Sequence, residues 1–189
     1  MVANNSGGEK TLAYGKTDNY VFKLRAVLAD GREYEFFPLD RAGLDKKMSQ
    51  PDFEGDIYRK VYKLVEENYD AIKAARPKVS KNSAGYALWD VWNRKIFDLT
   101  KLLTGSQGTL GIITEIGVKL VKPKKYSKLL AIFMRDLKSL PQIVAEILTH
   151  KPESFEAFDD NTLKLAMRYI YDLIKLIRPK NIFSLAWQF

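Results

Sequence analysis

The sequence predicts an α+β fold, in which an antiparallel sheet packs against helices. Three observations predict it: a hairpin pattern over residues 20–36, helical spacing over residues 56–75, and a β-branched run over residues 112–121. The composition agrees, because 46% of the 189 residues are hydrophobic and 29% are charged, which suits a buried core with a solvated surface. The chain is long enough for one domain, or for one domain and part of another.

The first sheet element is a hairpin. Residues 20–28 are rich in β-branched and aromatic side chains, Asp30 and Gly31 form a strong turn signal, and residues 32–36 return with alternating character. We therefore expect two antiparallel strands here. The two prolines and the glycine within residues 38–52 predict a connecting loop that has room for a short helix.

A helix and a further strand follow the hairpin. Over residues 56–75 apolar residues recur at helical spacing, and Arg76-Pro77 ends the pattern because proline disfavours helical geometry in the residue before it. The β-branched run over residues 112–121 predicts a strand that leads directly out of a glycine-rich loop. We expect residues 105–113 to form a tight loop that runs into a central strand of the same sheet as the hairpin.

The pattern changes after residue 123 and predicts a second, incomplete domain over residues 124–189. A capping box with proline in the first turn is predicted at Ser139-Leu140-Pro141-Gln142. Strands and helices are predicted to alternate, at residues 129–134, 143–148, 153–158, 163–177 and 182–187 in turn. This order predicts the start of an α+β layer whose sheet is unfinished.

The composition excludes several kinds of chemistry. The absence of cysteine excludes disulfides, thiolate zinc sites and cysteine nucleophiles and favours the cytoplasm, and the single histidine, His150, excludes a polyhistidine metal site. The net charge of +8 attracts anions without choosing among them. Nucleic acid is not predicted as a partner, because the lysines of residues 119–128 have only Tyr126 among them for stacking. No apolar run approaches the roughly 20 residues that span a bilayer.

Three polar loops are candidates for a ligand site. Gly105, Gly108 and Gly111 remove the side chains that keep a ligand away, so backbone N–H groups can approach an anion or a flat ring. Residues 4–8 add two carboxamides and two glycines, and residues 81–86 add a lysine, an asparagine and a tyrosine. Each loop also has an interpretation without a ligand. Residues 105–111 would then be a glycine-rich turn, residues 4–8 a frayed N-terminus and residues 81–86 an exposed turn.

In their order along the chain, these loops resemble the FAD-linked oxidase family, within the vanillyl-alcohol oxidase and para-cresol methylhydroxylase superfamily. The likeness is to its branch of glycolate oxidase D-subunits and D-lactate dehydrogenases. The segments that carry the resemblance are Met1-Val2-Ala3-Asn4-Asn5-Ser6-Gly7-Gly8, Tyr14-Gly15-Lys16-Thr17, Val27-Leu28-Ala29-Asp30-Gly31, Lys81-Asn82-Ser83-Ala84-Gly85-Tyr86 and Leu102-Leu103-Thr104-Gly105-Ser106-Gln107-Gly108-Thr109-Leu110-Gly111-Ile112-Ile113-Thr114-Glu115.

The resemblance implies a fold, a cofactor and an activity. Residues 1–123 would be the second subdomain of a para-cresol methylhydroxylase-type FAD-binding domain, and residues 124–189 the start of a ferredoxin-like α+β cap domain. FAD would be the cofactor, and the complete enzyme would transfer a hydride from a small 2-hydroxy acid to the flavin. The cofactor-binding residues implied are Ala3, Asn4, Asn5, Ser6, Gly7, Lys81, Asn82, Gly85, Tyr86, Gly105, Ser106, Gln107, Gly108, Thr109, Leu110, Gly111, Ile112 and Ile113. Gln107 stands where many members carry glutamate.

Two parts of the family pattern lie outside this sequence. The first half of the FAD-binding domain would precede Met1, and the rest of the cap, with its histidines, would follow Phe189. The chain therefore resembles a central fragment, on which no catalytic residue is predicted and for which a separate chain that supplies the missing half is an expected partner. The alternative is a non-catalytic remnant, or an anion-binding module without flavin.

Overall fold

The computed structural model describes residues 1–79 and 81–176. The chain divides into two compact units, Met1–Ser154 and Phe155–Phe189. The first unit combines helices with a small antiparallel sheet, which confirms the α+β class. The domain boundary at residue 123 and the para-cresol methylhydroxylase-type assignment stay predictions.

The sheet has the strand order β2-β1-β3 and is antiparallel throughout. Strand β1 (Val21–Val27) forms the predicted hairpin with β2 (Glu33–Phe36), and β3 (Ile112–Val118) pairs with the other side of β1. The hairpin and the third strand are thus confirmed. The central position expected for the strand after the glycine loop is wrong, because β1 is central and β3 is an edge strand among the described residues.

The two faces of the sheet differ in charge. Leu24, Ala26 and Phe36 are buried on the face that packs against the helices. Ion pairs cover the other face, where the Lys23 ammonium lies 2.7 Å from Glu35 and the Arg25 guanidinium lies 2.9 Å from Glu33. The alternation of apolar and charged residues along β1 and β2 therefore decides which face meets the core.

The first unit contains seven α-helices among the described residues. They are α1 (Thr11–Tyr14), α2 (Arg41–Met48), α3 (Phe53–Glu67), α4 (Tyr69–Ala74), α5 (Leu88–Val91), α6 (Thr100–Leu103) and α7 (Leu140–Thr149). The loop predicted over residues 38–52 thus contains a helix, α2. The single helix predicted over residues 56–75 is divided at Asn68, whose side chain donates a hydrogen bond to the Leu64 carbonyl at 2.9 Å.

The core lies between α3 and the chain before α6. Tyr58, Val65, Leu44 and Phe97 are buried there, and the rings of Tyr58 and Phe97 lie 6.0 Å apart. Trp92 is also buried, and its indole N–H donates to the Glu66 carboxylate at 2.6 Å.

Asp52 begins α3 by accepting a hydrogen bond from the Gly55 amide at 2.8 Å. Helix α3 is therefore held by a capping bond at its first turn and by aromatic contacts along its buried face.

The chain after residue 123 differs from the prediction. Helices α7 and α8 (Asp160–Leu176) confirm the two helices expected, although the Ser139 side chain makes no capping bond. The strands predicted at residues 129–134 and 153–158 are wrong, because neither stretch pairs with a strand among the described residues, and Leu129 and Phe133 are 96% and 93% exposed. A β-prone sequence forms a strand only where a second strand satisfies its backbone groups. The strand predicted at residues 182–187 lies outside the described residues, and the ferredoxin-like cap stays a prediction.

Candidate functional site

The N-terminal segment is an ordered part of the first unit. Residues Val2–Asn4 form one 3-10 turn, and Asn5 ends it in the left-handed region with φ of 45°. Asn5 is 4% exposed, and its carboxamide donates to an Asp18 carboxylate oxygen at 2.8 Å and accepts from the Asp18 backbone amide at 3.0 Å. This two-point pairing removes the alternative of a frayed terminus. Both ends of the Asn5 carboxamide are thereby paired with Asp18.

Asp18 lies at the centre of a polar cluster. The Lys16 ammonium donates to its carboxylate at 2.9 Å, and the Lys101 ammonium of α6 donates to its backbone carbonyl at 2.5 Å. Burial alone raises the pKa of the Asp18 carboxyl, but the hydrogen bonds from Asn5 and Lys16 and the charges of Lys16 and Lys101 outweigh burial and hold the pKa below its ordinary 3.8. Asp18 is therefore a carboxylate at neutral pH, and the cluster carries one surplus positive charge.

The glycine-rich loop lies directly against the N-terminal segment. The amides of Gly105 and Gln107 donate to the carbonyls of Val2 and Ala3 at 3.0 and 2.7 Å. Three positions of the loop adopt positive φ, namely Gly105 at 88°, Gln107 at 54° and Gly108 at 80°. Two of the amides expected to face a ligand are thus used to join two loops. The backbone around Gly108 remains the part of the loop that a ligand can approach.

The segment at residues 81–86 joins the same assembly. The Ser83 hydroxyl donates to the Asn5 carbonyl at 2.9 Å, and the Lys81 ammonium donates to the Gly7 carbonyl at 3.3 Å. The Tyr86 hydroxyl lies 2.7 Å from the Thr109 hydroxyl, across the glycine loop.

A fourth segment, residues 14–19, completes this site. The Lys16 ammonium donates to the Asn82 carbonyl at 2.5 Å as well as to Asp18. Four segments from two distant stretches of the chain therefore meet, and we call them the loop cluster: residues 2–7, 14–19, 81–86 and 104–109.

The end of the predicted site belongs to the sheet. A Cβ on Gly111 would lie 2.7 Å from the Val27 carbonyl oxygen, so packing against the hairpin already requires glycine there. Leu110 and Ile113 pack against the hydrophobic core, and Ile112 is 71% exposed on β3. The structure thus brings the residues up to Thr109 together in the loop cluster and places Leu110, Gly111, Ile112 and Ile113 at the start of the strand.

A cavity lies among these loops. It has a volume of about 230 Å³ and is bordered by Asn5, Lys16, Asp18, Asn82, Ser83 and Thr104, with further residues of α5 and the chain before it. Pockets for drug-sized ligands occupy about 300–1,000 Å³. The cavity is therefore too small to enclose a dinucleotide. It can hold only part of one.

Sequence reasoning missed several members of the cluster. Asp18 and Lys101 have no role predicted from the sequence, and Lys16 and Thr104 appear there only within segments that carry the resemblance. The available signal was the glycine turn at Gly15 directly before a charged pair, but nothing in the sequence indicates that Asp18 pairs with a residue thirteen positions earlier. The described residues hold no group of three or more histidine, aspartate or glutamate side chains that could bind a metal ion. They also include no helix long and apolar enough to span a membrane.

Sequence alignments with known proteins extend over most of the chain. The chain is 28% identical over 171 residues to D-2-hydroxyglutarate dehydrogenase of Pseudomonas putida, an alignment that covers 90% of the chain and 17% of that protein. It is 32% identical to D-2-hydroxyglutarate dehydrogenase of Pantoea ananatis, over 98% of the chain and 19% of that protein. It is 33% identical to glycolate oxidase subunit GlcD of Bacillus subtilis, over 89% of the chain and 26% of that protein. No family model matches the chain.

The chain spans between 17% and 26% of the length of these three relatives. A D-lactate dehydrogenase of Archaeoglobus fulgidus also aligns, with 29% identity over 78% of the chain. Dehydrogenases of 2-hydroxy acids and a glycolate oxidase subunit thus align with between 78% and 98% of this sequence, and the chain belongs to the FAD-linked oxidase family.

Proposed function

We propose that this chain is one wall of the FAD site of a dehydrogenase that oxidises a small 2-hydroxy acid. The observation that carries the proposal is the loop cluster, in which four of the five segments that resemble the family's motifs are joined by hydrogen bonds. These segments come from two stretches, residues 2–19 and residues 81–109, which the fold brings into contact. The names of the relatives support the substrate class.

The loop cluster suits a flavin dinucleotide in its shape. A Cβ added to Gly85 or Gly108 would meet no atom within 4 Å, so the space above both glycines is open. Both also adopt positive φ, at 69° and 80°, which presents the backbone rather than a side chain. The hydroxyls of Thr104 and Ser106 are buried without a hydrogen-bond partner among the described residues. A polar ligand at this loop would find both donors and acceptors.

The charge of the cluster also suits FAD. Lys81 lies over the N-terminal loop, and Lys16 and Lys101 outnumber the one carboxylate of Asp18. A pyrophosphate is stabilised by such a surplus of positive charge beside backbone N–H groups. The proposed contacts of this chain are those of residues Ala3 to Gly7, Lys81 to Tyr86 and Gly105 to Thr109, with Leu110 to Ile113 supporting the loop from the sheet.

The chain's part in catalysis is to bind and orient. Flavin, when bound, supplies the hydride acceptor. The residues of the loop cluster would fix its position and exclude water from one side, and no described side chain is proposed as the base that removes the substrate proton. A separate polypeptide, or further sequence of the kind that the relatives carry, would supply the opposite wall. The cytoplasmic location stays a prediction from the sequence.

The purified chain tests this proposal. Because one wall leaves much of a long flexible ligand in water, we expect weak binding, with a Kd on the order of 1 mM, and no flavin retained on purification. We also expect no dye reduction with D-2-hydroxyglutarate, D-lactate or glycolate. FAD titration followed by flavin fluorescence measures the first point. Absence of any FAD binding at millimolar concentration would favour the non-catalytic remnant, and a yellow, active monomer would show that the chain is a whole enzyme.

A further inference from the structure

Asp18 is the residue through which the loop cluster is connected. Its carboxylate accepts from Asn5 at 2.8 Å and from Lys16 at 2.9 Å, its amide donates to the Asn5 carboxamide at 3.0 Å, and its carbonyl accepts from Lys101 at 2.5 Å. Lys16 in turn reaches the Asn82 carbonyl, and Lys101 belongs to α6, which leads into the glycine loop. Asp18 thus contacts each segment of the loop cluster either directly or through one further residue.

The pairing with Asn5 has a direct geometric consequence. Asn5 holds φ of 45°, a conformation that asparagine tolerates better than most residues but that still needs support. A Cβ on Gly105 would lie 3.1 Å from the Asn5 Cβ, so the position of Asn5 sets how closely the glycine loop can approach. The carbonyls of Val2 and Ala3, which accept from the amides of Gly105 and Gln107, belong to the 3-10 turn that Asn5 ends.

We propose that Asp18 is a positioning residue, which fixes the left-handed Asn5 and through it the backbone of the glycine loop that the proposed flavin site uses. The link between Asp18 and flavin rests on the proposed function. The hydrogen bonds by which Asp18 holds Asn5 do not depend on it. The proposal assigns Asp18 no contact with the cofactor. It differs from a general stabilising role because it predicts a local effect at the loop, beyond any change in the stability of the core.

Amide hydrogen exchange separates these roles without any ligand. The readout is the exchange rate of the Gly105 and Gln107 amides divided by the rate of the Leu24 amide, which lies in the buried strand β1. In Asp18→Ala and in Asn5→Asp, where two carboxylates face each other, we expect this ratio to rise about tenfold or more. Asp52→Ala is the matched control, since it removes an aspartate that accepts from Gly55 far along the chain, and we expect no rise in the ratio, because any loss of global stability speeds the Leu24 amide at least as much as the loop amides.

The double variant Asn5→Asp with Asp18→Asn gives the decisive result. It exchanges the carboxamide and the carboxylate between the two positions. The new carboxamide and the backbone N–H at position 18 then both donate to the new carboxylate at position 5, so the pairing is restored. We expect the ratio to return close to that of the parent chain, even where the single variants do not fold. An unchanged ratio in the single variants, or a double variant that is as unprotected as they are or does not fold, would overturn the proposal.

A second arm connects Asp18 to flavin. FAD titration of the same variants is expected to show weaker binding for Asp18→Ala and recovery in the double variant, while Asp52→Ala binds as the parent does. If exchange responds as described but the parent binds no FAD, the positioning role stands and the proposed function fails. If the parent binds FAD and Asp18→Ala binds it equally well with an unchanged exchange ratio, the positioning role fails and the proposed function stands.

Discussion

Gly108 and Gly31 form a matched pair that separates backbone strain from ligand contact. Their φ angles are 80° and 77°, and a Cβ added to either would meet no protein atom within 4 Å. Gly108 lies in the glycine loop of the proposed flavin site, whereas Gly31 lies in the turn between β1 and β2. Replacing each by alanine therefore introduces the same strain in two places, only one of which is proposed to meet a ligand.

The expected loss of stability is the same for the two variants. A non-glycine residue in the left-handed region costs about 1–2 kcal/mol, and no clash adds to it at either site. For a chain of this size, 1 kcal/mol lowers Tm by about 2–4 °C. Thermal unfolding followed by circular dichroism should thus show similar decreases for Gly108→Ala and Gly31→Ala.

The two variants should differ in flavin binding. The methyl group at position 108 points into open space that the proposed FAD occupies, so we expect Gly108→Ala to weaken FAD binding about tenfold or more, and the larger Gly108→Val to abolish it. Gly31→Ala should bind FAD as the parent does. FAD titration by fluorescence measures both. Equal FAD affinity in Gly108→Ala, Gly31→Ala and the parent chain would remove this loop from the site.

Three further predictions concern the scaffold and the cluster. Asp52→Ala removes the cap of α3 and should lower the free energy of unfolding by about 1 kcal/mol in urea titration, and an unchanged value would show that the cap contributes nothing. Phe97→Ala opens a cavity among buried aromatic rings and should cost about 3–5 kcal/mol in the same assay, whereas a cost below 1 kcal/mol would place Phe97 outside the core. The folded state holds the pKa of Asp18 below 3.8. The contribution of the Asp18 carboxylate to the free energy of unfolding is therefore fully present above the unfolded pKa, and it is lost as the pH falls through the folded pKa. The difference in stability between the parent and Asp18→Asn should therefore be constant from pH 7 to pH 5 and shrink below about pH 4, and a difference that shrank already between pH 7 and 5 would contradict this assignment.

The elements fixed by local patterns could be predicted from the sequence. The hairpin around Asp30 and Gly31, the strand at Ile112–Val118 and the apolar face of α3 each follow from short-range periodicity or turn chemistry. The strands expected at residues 129–134 and 153–158 failed for a different reason. Their pattern is β-prone, but strand formation depends on a pairing partner, which a local pattern does not reveal.

The candidate site could be predicted only in part. The glycines, the N-terminal asparagines and the segment at Lys81 were found from their residue types and their resemblance to a family. The contacts that join them involve Asp18 and Lys101, which are separated by 83 positions and carry no local signature. The roles expected of the Gly105 and Gln107 amides also changed, because the carbonyls of Val2 and Ala3 occupy them. Convergence of distant segments is a property of the fold.

The most direct test of the central claim is an FAD titration of the 15N-labelled chain, followed by the chemical shifts of its backbone amides. If the loop cluster is one wall of a flavin site, the shifts that change with FAD should belong to residues 2–7, 14–19, 81–86 and 104–109. The chemical shifts of the α3 amides, which belong to no segment of the loop cluster, should not change. Changes confined to surface lysines elsewhere, or no changes at millimolar FAD, would contradict the claim that these four segments form a flavin-binding surface.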